Sequence, residues 1–151
     1  MYCLAKSVTI IPYFTVHSLW DKIEPLLAKA VEYDDVNIMN AVYTDAINNN
    51  LQLWACIDDT KPDDIELIVG TRFIRGKHDI YLDITYVAGK NLKTWYDDFF
   101  PILEEFAIKN SCTACRFHGR VFLHKMMTER GWQTKKIITY KSLSNRELNL
   151  E

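Results

Sequence analysis

The 151 residues carry 48% hydrophobic and 25% charged side chains with a formal net charge of −2, the balance of a globular chain of one domain that can bury a proper core. No apolar run approaches the ~20 residues of a membrane-spanning helix, which excludes that class. The start, Met1-Tyr2-Cys3-Leu4-Ala5-Lys6, lacks the apolar core of a signal peptide, so the expectation is a cytoplasmic or particle-associated protein.

Taken in chain order, Ser7 to Tyr13 reads as a first strand, and Pro12 ends it or marks it as an edge. Thr15 or Ser18 can cap a helix carrying Leu19, Trp20, Ile23, Leu26, Leu27 and Ala30, which Pro25 should kink or divide. Val36 to Ile47 reads as a second helix, broken by Asn48-Asn49-Asn50. Leu51–Ile57, Ile65–Ile74 and Ile80–Val87 read as three strands joined by short polar turns, the pattern of antiparallel hairpins.

The centre of the chain is Asp79 to Ile108: a strand, the turn Ala88-Gly89-Lys90-Asn91 and a long helix. Leu92, Trp95, Tyr96, Phe99, Phe100, Leu103, Phe106 and Ala107 recur at spacings of three and four, and this stripe reads as core. Pro101 lies inside it and costs about 3 kcal/mol unless the helix bends there. A glycine turn leading from a strand into a helix N-terminus is a place where backbone N–H groups can hold an anion. Thr113–His118 then reads as a short strand, Gly119 or Arg120 to Met127 as a helix capped by Gly131, and Trp132–Leu143 as a last strand. The tail from Ser144 to Glu151 is polar, leaving residues 1–143 as the folded domain.

Charge is unevenly spread. Asp21 to Glu66 holds eleven acidic and three basic residues, whereas Arg116 to Arg146 holds eight basic and one acidic. Such asymmetry marks either solvated faces or a docking surface for protein or nucleic acid. No nucleic-acid motif accompanies the basic stretch. Of the four cysteines, Cys56 sits in an apolar strand and reads as core. Cys112-Thr113-Ala114-Cys115 with His118 has metal-like spacing, but no second ligand pair follows, so no metal site is assigned and the thiols read as buried or half-buried.

The order of strand, two helices, three strands, helix, strand, helix, strand implies an α/β (α+β) domain. Its sheet is mixed and mostly antiparallel, with one parallel pair at its centre and helices on both faces. With Leu51-Gln52-Leu53-Trp54, Gly89-Lys90-Asn91-Leu92-Lys93, Trp95, Glu105-Phe106-Ala107, Cys112, Gly119-Arg120 and Gly131-Trp132, it resembles the Gcn5-related N-acetyltransferase (GNAT) fold over nearly its whole length. More narrowly, it is similar to small GNAT-like proteins of short-tailed bacteriophages.

The resemblance implies that acetyl-CoA, if bound, lies where the parallel strands splay. Gly89, Lys90, Asn91 and Lys93, with Val87 before them, would hold it. The family pattern for the phosphate loop is Arg/Gln-x-x-Gly-x-Gly/Ala, and here Ala88, Asn91 and Lys93 depart from it. Where the family often carries a tyrosine as general acid stands Met127, which has no acidic proton, and Arg120 occupies the usual asparagine place. Tyr86 and Tyr140 are alternative phenols. Asp83, His78 and the turn Asp58–Asp64 are candidate bases, and the plain reading of Asp83 is an outward-facing position in an alternating strand. A GNAT-type bulge is expected within Ile84–Val87, where a backbone N–H would polarise the thioester carbonyl.

These departures favour a non-catalytic, virion-associated protein that binds other phage virion proteins, found in the virion and in host cytoplasm during assembly, with no cofactor. The alternative is an acetyl-CoA-dependent N-acetyltransferase acting on a protein or small amine. A nucleic-acid binder is third.

Overall fold

The computed structural model describes residues 6–30, 36–61, 63–117, 121–134 and 141. The chain divides into two compact units, Met1–Phe117 and His118–Glu151. The first contains β1 (Lys6–Ile11), a 3-10 turn (Tyr13–Thr15), α1 (Val16–Ala30), α2 (Val36–Ile47), β2 (Gln52–Asp58), β3 (Ile65–Arg75), β4 (Ile80–Gly89), α3 (Leu92–Lys109) and β5 (Ala114–Phe117). The second contains α4 (Val121–Thr128). The strands form one sheet in the order β1-β2-β3-β4-β5. Neighbours from β1 to β4 are antiparallel, and β4 and β5 run parallel with α3 as their crossover. This is the expected mixed α/β sheet.

Each face of the sheet is covered differently. On one, Ile23 and Leu27 of α1 and Met39, Val42 and Ala46 of α2 form a buried cluster with Leu53, Ala55, Ile68 and Ala88. On the other, aromatic rings from α3 meet rings from the strands. Trp54 packs edge-on against Phe99 and Phe106 at centroid distances of 5.9 and 5.1 Å, and Phe73 stacks on Phe106 at 5.6 Å. Trp95, Phe99, Phe100 and Leu103 are almost wholly buried, so the α3 stripe is core. Each such side chain contributes about 1.5–3 kcal/mol of burial free energy.

Two departures from expectation, and the accommodation of Pro101, have local causes. Pro25 does not divide α1, which runs unbroken from Val16 to Ala30. Pro25 is exposed, so water can reach the Asp21 carbonyl that its missing N–H would have served. Pro101 is likewise exposed within a continuous α3. The expected last strand is not formed at Trp132–Thr134, where Gly131 (φ 92°) closes α4 through Gly131 N–H to Thr128 O and Trp132 N–H to Met127 O, both 3.1 Å. Apart from Lys141, the rest of that stretch, including Tyr140, lies outside the described residues.

The sheet carries two β-bulges. Cys56 pairs with Leu67 and Ile57 with Ile65, which makes Glu66 the extra residue. Gly70 pairs with Tyr86 and Thr71 with Ile84, which makes Thr85 the extra residue in β4. The second bulge resets the alternation of side chains. Asp83 lies opposite Arg72 and Tyr86 opposite Gly70. Arg72 and Gly70 are two apart and share a face, so Asp83 and Tyr86, three apart, also share one.

A buried polar chain ties β2 to β3 under α3. The Trp54 indole N–H donates to Thr71 Oγ1 at 3.0 Å, and the Thr71 hydroxyl donates to Gln52 Oε1 at 3.1 Å. Thr71→Val keeps the shape and removes the partner of both groups. It is expected to cost about 1–3 kcal/mol, because a buried donor and acceptor are left unpaired. Urea denaturation of the two proteins checks this, and an unchanged midpoint would show that the chain is energetically idle.

Candidate functional site

Pairing between β4 and β5 is described from Tyr81↔Ala114 to Ile84↔Phe117, the last described residue of β5, and β4 is paired with β3 as far as Gly89. Past Ile84, β4 therefore has an edge with no strand partner among the described residues. The Thr85 bulge sits where that edge begins, inside the expected Ile84–Val87 stretch. Burial changes at the same point: Leu82, Asp83 and Ile84 are buried, and Thr85, Tyr86 and Val87 are half-buried. An open edge of this kind offers backbone N–H and C=O groups to an extended ligand.

The turn that follows is built by β3. Gly89 has φ 123°, and a Cβ placed there would lie 2.1 Å from the Glu66 carbonyl oxygen and 2.9 Å from Leu67 Cα. Glycine is thus required by the neighbouring strand, whatever binds at the turn. The Lys90 N–H donates to the same Glu66 oxygen at 2.9 Å, and the Trp95 indole donates to Glu66 Oε2 at 2.7 Å. Ala88 is buried in the cluster under α1 and α2, so the first position of the loop fills core rather than facing a ligand.

Asn91 caps α3 in the left-handed conformation (φ 67°, ψ 29°) and makes no side-chain cap hydrogen bond. Its carbonyl accepts from the N–H groups of Thr94 and Trp95 at 3.0 and 2.9 Å. The N–H groups of Leu92 and Lys93 are left without a partner among the described residues, at the positive end of the helix dipole. No acidic residue lies in this first turn, and the exposed Lys90 and Lys93 flank it. These groups suit a phosphate. Lys93, where a small residue is usual, is exposed.

The candidate bases fall in different places. Asp83 is 6% exposed, which corrects the outward-facing reading: the Thr85 bulge places it with Tyr86 on the face that α1 and α2 cover. Its Oδ1 accepts from Arg116 Nε at 2.9 Å and its Oδ2 from the Thr85 hydroxyl at 2.8 Å. Tyr86 packs its ring against Gly70, with the Arg72 guanidinium 6.0 Å from the ring centre. Arg72 Nη2 in turn lies 3.9 Å from Asp45 Oδ2 of α2. His78 sits at the β3–β4 turn, at the far end of a ten-residue β4 from Gly89, a separation of about 30 Å along the strand. In the β2–β3 turn, Asp58 Oδ1 accepts from Thr60 and Asp59 Oδ1 from Ser7. In the second unit, Met127 is buried at 3% exposure. Arg72, Asp45 and Glu66 were not singled out by sequence reasoning, and Arg116 entered only as part of the basic stretch. The one available signal was a carboxylate in an apolar strand, which calls for a cationic partner.

Cys56, Cys112 and Cys115 are free thiols. Burial, helped by the charges of Glu66 and Asp98, pushes Cys56 up to about 12. Burial, helped by Glu104 and Cys112, pushes Cys115 up to about 11, and burial also raises Cys112. Such thiols are poor nucleophiles at neutral pH. His118 lies outside the described residues, among which no His, Cys, Asp and Glu group is placed to hold a metal ion.

No protein-family model and no curated protein matches the chain. Solved structures do. A GNAT family acetyltransferase of Staphylococcus aureus is 13% identical, covering 92% of this chain and 99% of its own, with a TM-score of 0.64. A predicted acetyltransferase with acetyl-CoA from Clostridium acetobutylicum is 12% identical, covering 92% and 97%, with a TM-score of 0.66. Glucosamine-6-phosphate N-acetyltransferase from Arabidopsis thaliana is 11% identical, covering 93% and 99%, with a TM-score of 0.66. At these identities the likeness establishes the fold alone: the chain has the GNAT-like acetyltransferase fold.

Two outcomes follow from the site. Gly89→Ala forces a Cβ into the Glu66 carbonyl and is expected to lower stability by about 2 kcal/mol or more. An unchanged urea midpoint would disprove the close approach. In the native protein at pH 8, iodoacetamide labelling mapped by peptide is expected to leave Cys56 and Cys115 at least about ten-fold slower than the same peptides in urea. Equal rates would show that the thiols are not shielded.

Proposed function

We propose that this chain is an acetyl-CoA-dependent N-acetyltransferase whose chemistry is carried mainly by its backbone. The observation that supports it is the coincidence, within one strand–turn–helix, of a bulge at Thr85 and a helix N-terminus whose Leu92 and Lys93 N–H groups have no partner among the described residues. The Clostridium acetobutylicum protein of the same fold, with acetyl-CoA, supports the same cofactor.

On this reading, the N–H groups of Leu92 and Lys93 and the charges of Lys90 and Lys93 hold the pyrophosphate. The open edge from Thr85 through Val87 lines up the extended part of the molecule. Acetyl-CoA, when bound, supplies an acetyl group activated as a thioester. Backbone N–H groups at the bulge would polarise the carbonyl oxygen towards attack by an amine, which is stabilisation aimed at charge that develops in the transition state; as the C–N bond forms the thioester C–S bond breaks, and the departing thiolate would take up the amine's proton through water. Asp83 has both oxygens engaged and Met127 has no proton to give, so binding and polarisation are the chain's main contributions.

A second reading is the non-catalytic, virion-associated protein. It is favoured by Ala88 as core filling, by Gly89 as a demand of Glu66 rather than of phosphate, and by Met127 in the place of an acid.

Titration with acetyl-CoA separates the two. Saturable binding is expected, weakened about ten-fold or more by Lys90→Glu combined with Lys93→Glu, because the change reverses the field at the α3 N-terminus. The rate is expected to rise with pH until the acceptor amine is deprotonated, without the falling limb that an enzymic acid would add. Absence of binding at millimolar cofactor overturns the enzyme reading. Retention in purified particles through a high-salt wash would then support the assembly role.

A further inference from the structure

On the face covered by α1 and α2, four charged side chains run in alternating sign from β5 across β4 and β3 to α2: Arg116, Asp83, Arg72 and Asp45. Arg116 is held by one atom. Its Nε donates to Asp83 Oδ1 at 2.9 Å, and Asp83 is itself fixed through Thr85. The two terminal amino groups of Arg116 have no partner among the described residues, and its side chain is 41% exposed while that of Asp83 is 9% exposed. A guanidinium pinned through Nε by a buried carboxylate cannot swing freely, and it presents its remaining fork in a set direction.

The position of that fork matters. Arg116 pairs with Asp83, one residue before the last described β4–β5 pair, Ile84↔Phe117. The β-bulge at Thr85 lies about 7 Å along the strand from Asp83. Arg72, opposite Asp83, adds a second guanidinium on the same face, with an Nε that is buried and has no hydrogen-bond partner among the described residues. The two arginines are matched by two aspartates, so the cluster can take one further negative charge better than a dianion. A planar carboxylate fits a guanidinium fork through two parallel hydrogen bonds.

The geometry points to Arg116 as the residue that recognises a carboxylate on the acceptor, which makes the acceptor a small amino acid whose amine and carboxylate lie a few ångströms apart. This rests on the acetyltransferase reading for its reaction, but carboxylate binding is measurable without it. In the binding arm, the Arg116 side-chain Nε–H resonance is followed by NMR during titration with N-acetylglycine and, separately, with N-acetylglycinamide. A saturable shift with the acid and none with the amide is expected. Arg116→Gln should abolish the acid's effects on neighbouring amides, and Arg116→Lys, which keeps the charge but not the fork, should restore part of them. In the kinetic arm, kcat/KM for glycine is expected to exceed that for glycinamide about ten-fold or more at equal concentrations of free amine, with the ratio falling towards one in Arg116→Gln. A strand-clipping ion pair alone would lower the urea midpoint of that variant and leave the ratio unchanged, which would overturn the proposal. Equal response to acid and amide in the binding arm would overturn it as well. A carboxylate response without any acetyl transfer would uphold the carboxylate site and count against the acetyltransferase reading. Transfer to glycine and glycinamide alike would do the reverse.

Discussion

Glu66 holds the corner at which β4 becomes α3 by contacts made at both ends of the residue. It is the extra residue of the β2–β3 bulge, which frees it from the regular alternation of its strand. Its carbonyl receives the Lys90 N–H and presses so closely on Gly89 that no side chain fits between them. Its carboxylate receives the indole N–H of Trp95, one turn into the helix. Strand exit and helix entry are thereby tied to one point on β3. With the first turn oriented in this way, Asn91 takes the left-handed conformation and the N–H groups of Leu92 and Lys93 have no partner among the described residues.

The elements themselves were largely legible. Val36–Ile47 and Leu92–Lys109 coincide with their expected spans, because apolar spacing of three and four sustained over so many residues suits a helix and little else. The three central strands and the parallel crossover also followed from pattern. What the sequence did not disclose lies in register. A period-two reading of β4 gives no warning that Thr85 is an extra residue, and so it misjudges which side of the sheet Asp83 occupies. The pairing of Asp83 with Arg116 joins residues far apart in the chain and depends on how a parallel neighbour is offset. The reason for Gly89 was equally hidden, since a glycine required by an adjacent carbonyl looks in sequence like one required by a phosphate. Pro25 misled for a different reason: the helix penalty assumes a carbonyl deprived of its partner, and an exposed one can turn to water.

Charge works at two scales in this molecule. Over long stretches the acidic and basic residues are segregated, a property of surfaces and encounter. Within the sheet they are arranged singly and alternately, from Arg116 through Asp83 and Arg72 to Asp45, at distances from 2.9 to 3.9 Å for the two ion pairs. The buried member, Asp83, is the one with both oxygens satisfied, as the cost of desolvating a carboxylate requires. The two arginines keep donors that have no partner among the described residues. Stability and recognition are therefore served by different atoms of the same chain of residues.

The open edge of β4 also bears on how freely this sequence can change. Its donors and acceptors are peptide groups, which every residue except proline supplies in full. Substitutions along Thr85, Tyr86 and Val87 that respect the bulge leave those groups in place. Selection acting on such an edge constrains the path of the chain and leaves the letters at these positions comparatively free to drift. The fold is shared with acetyltransferases at 11 to 13% identity, so few letters are needed to specify its path.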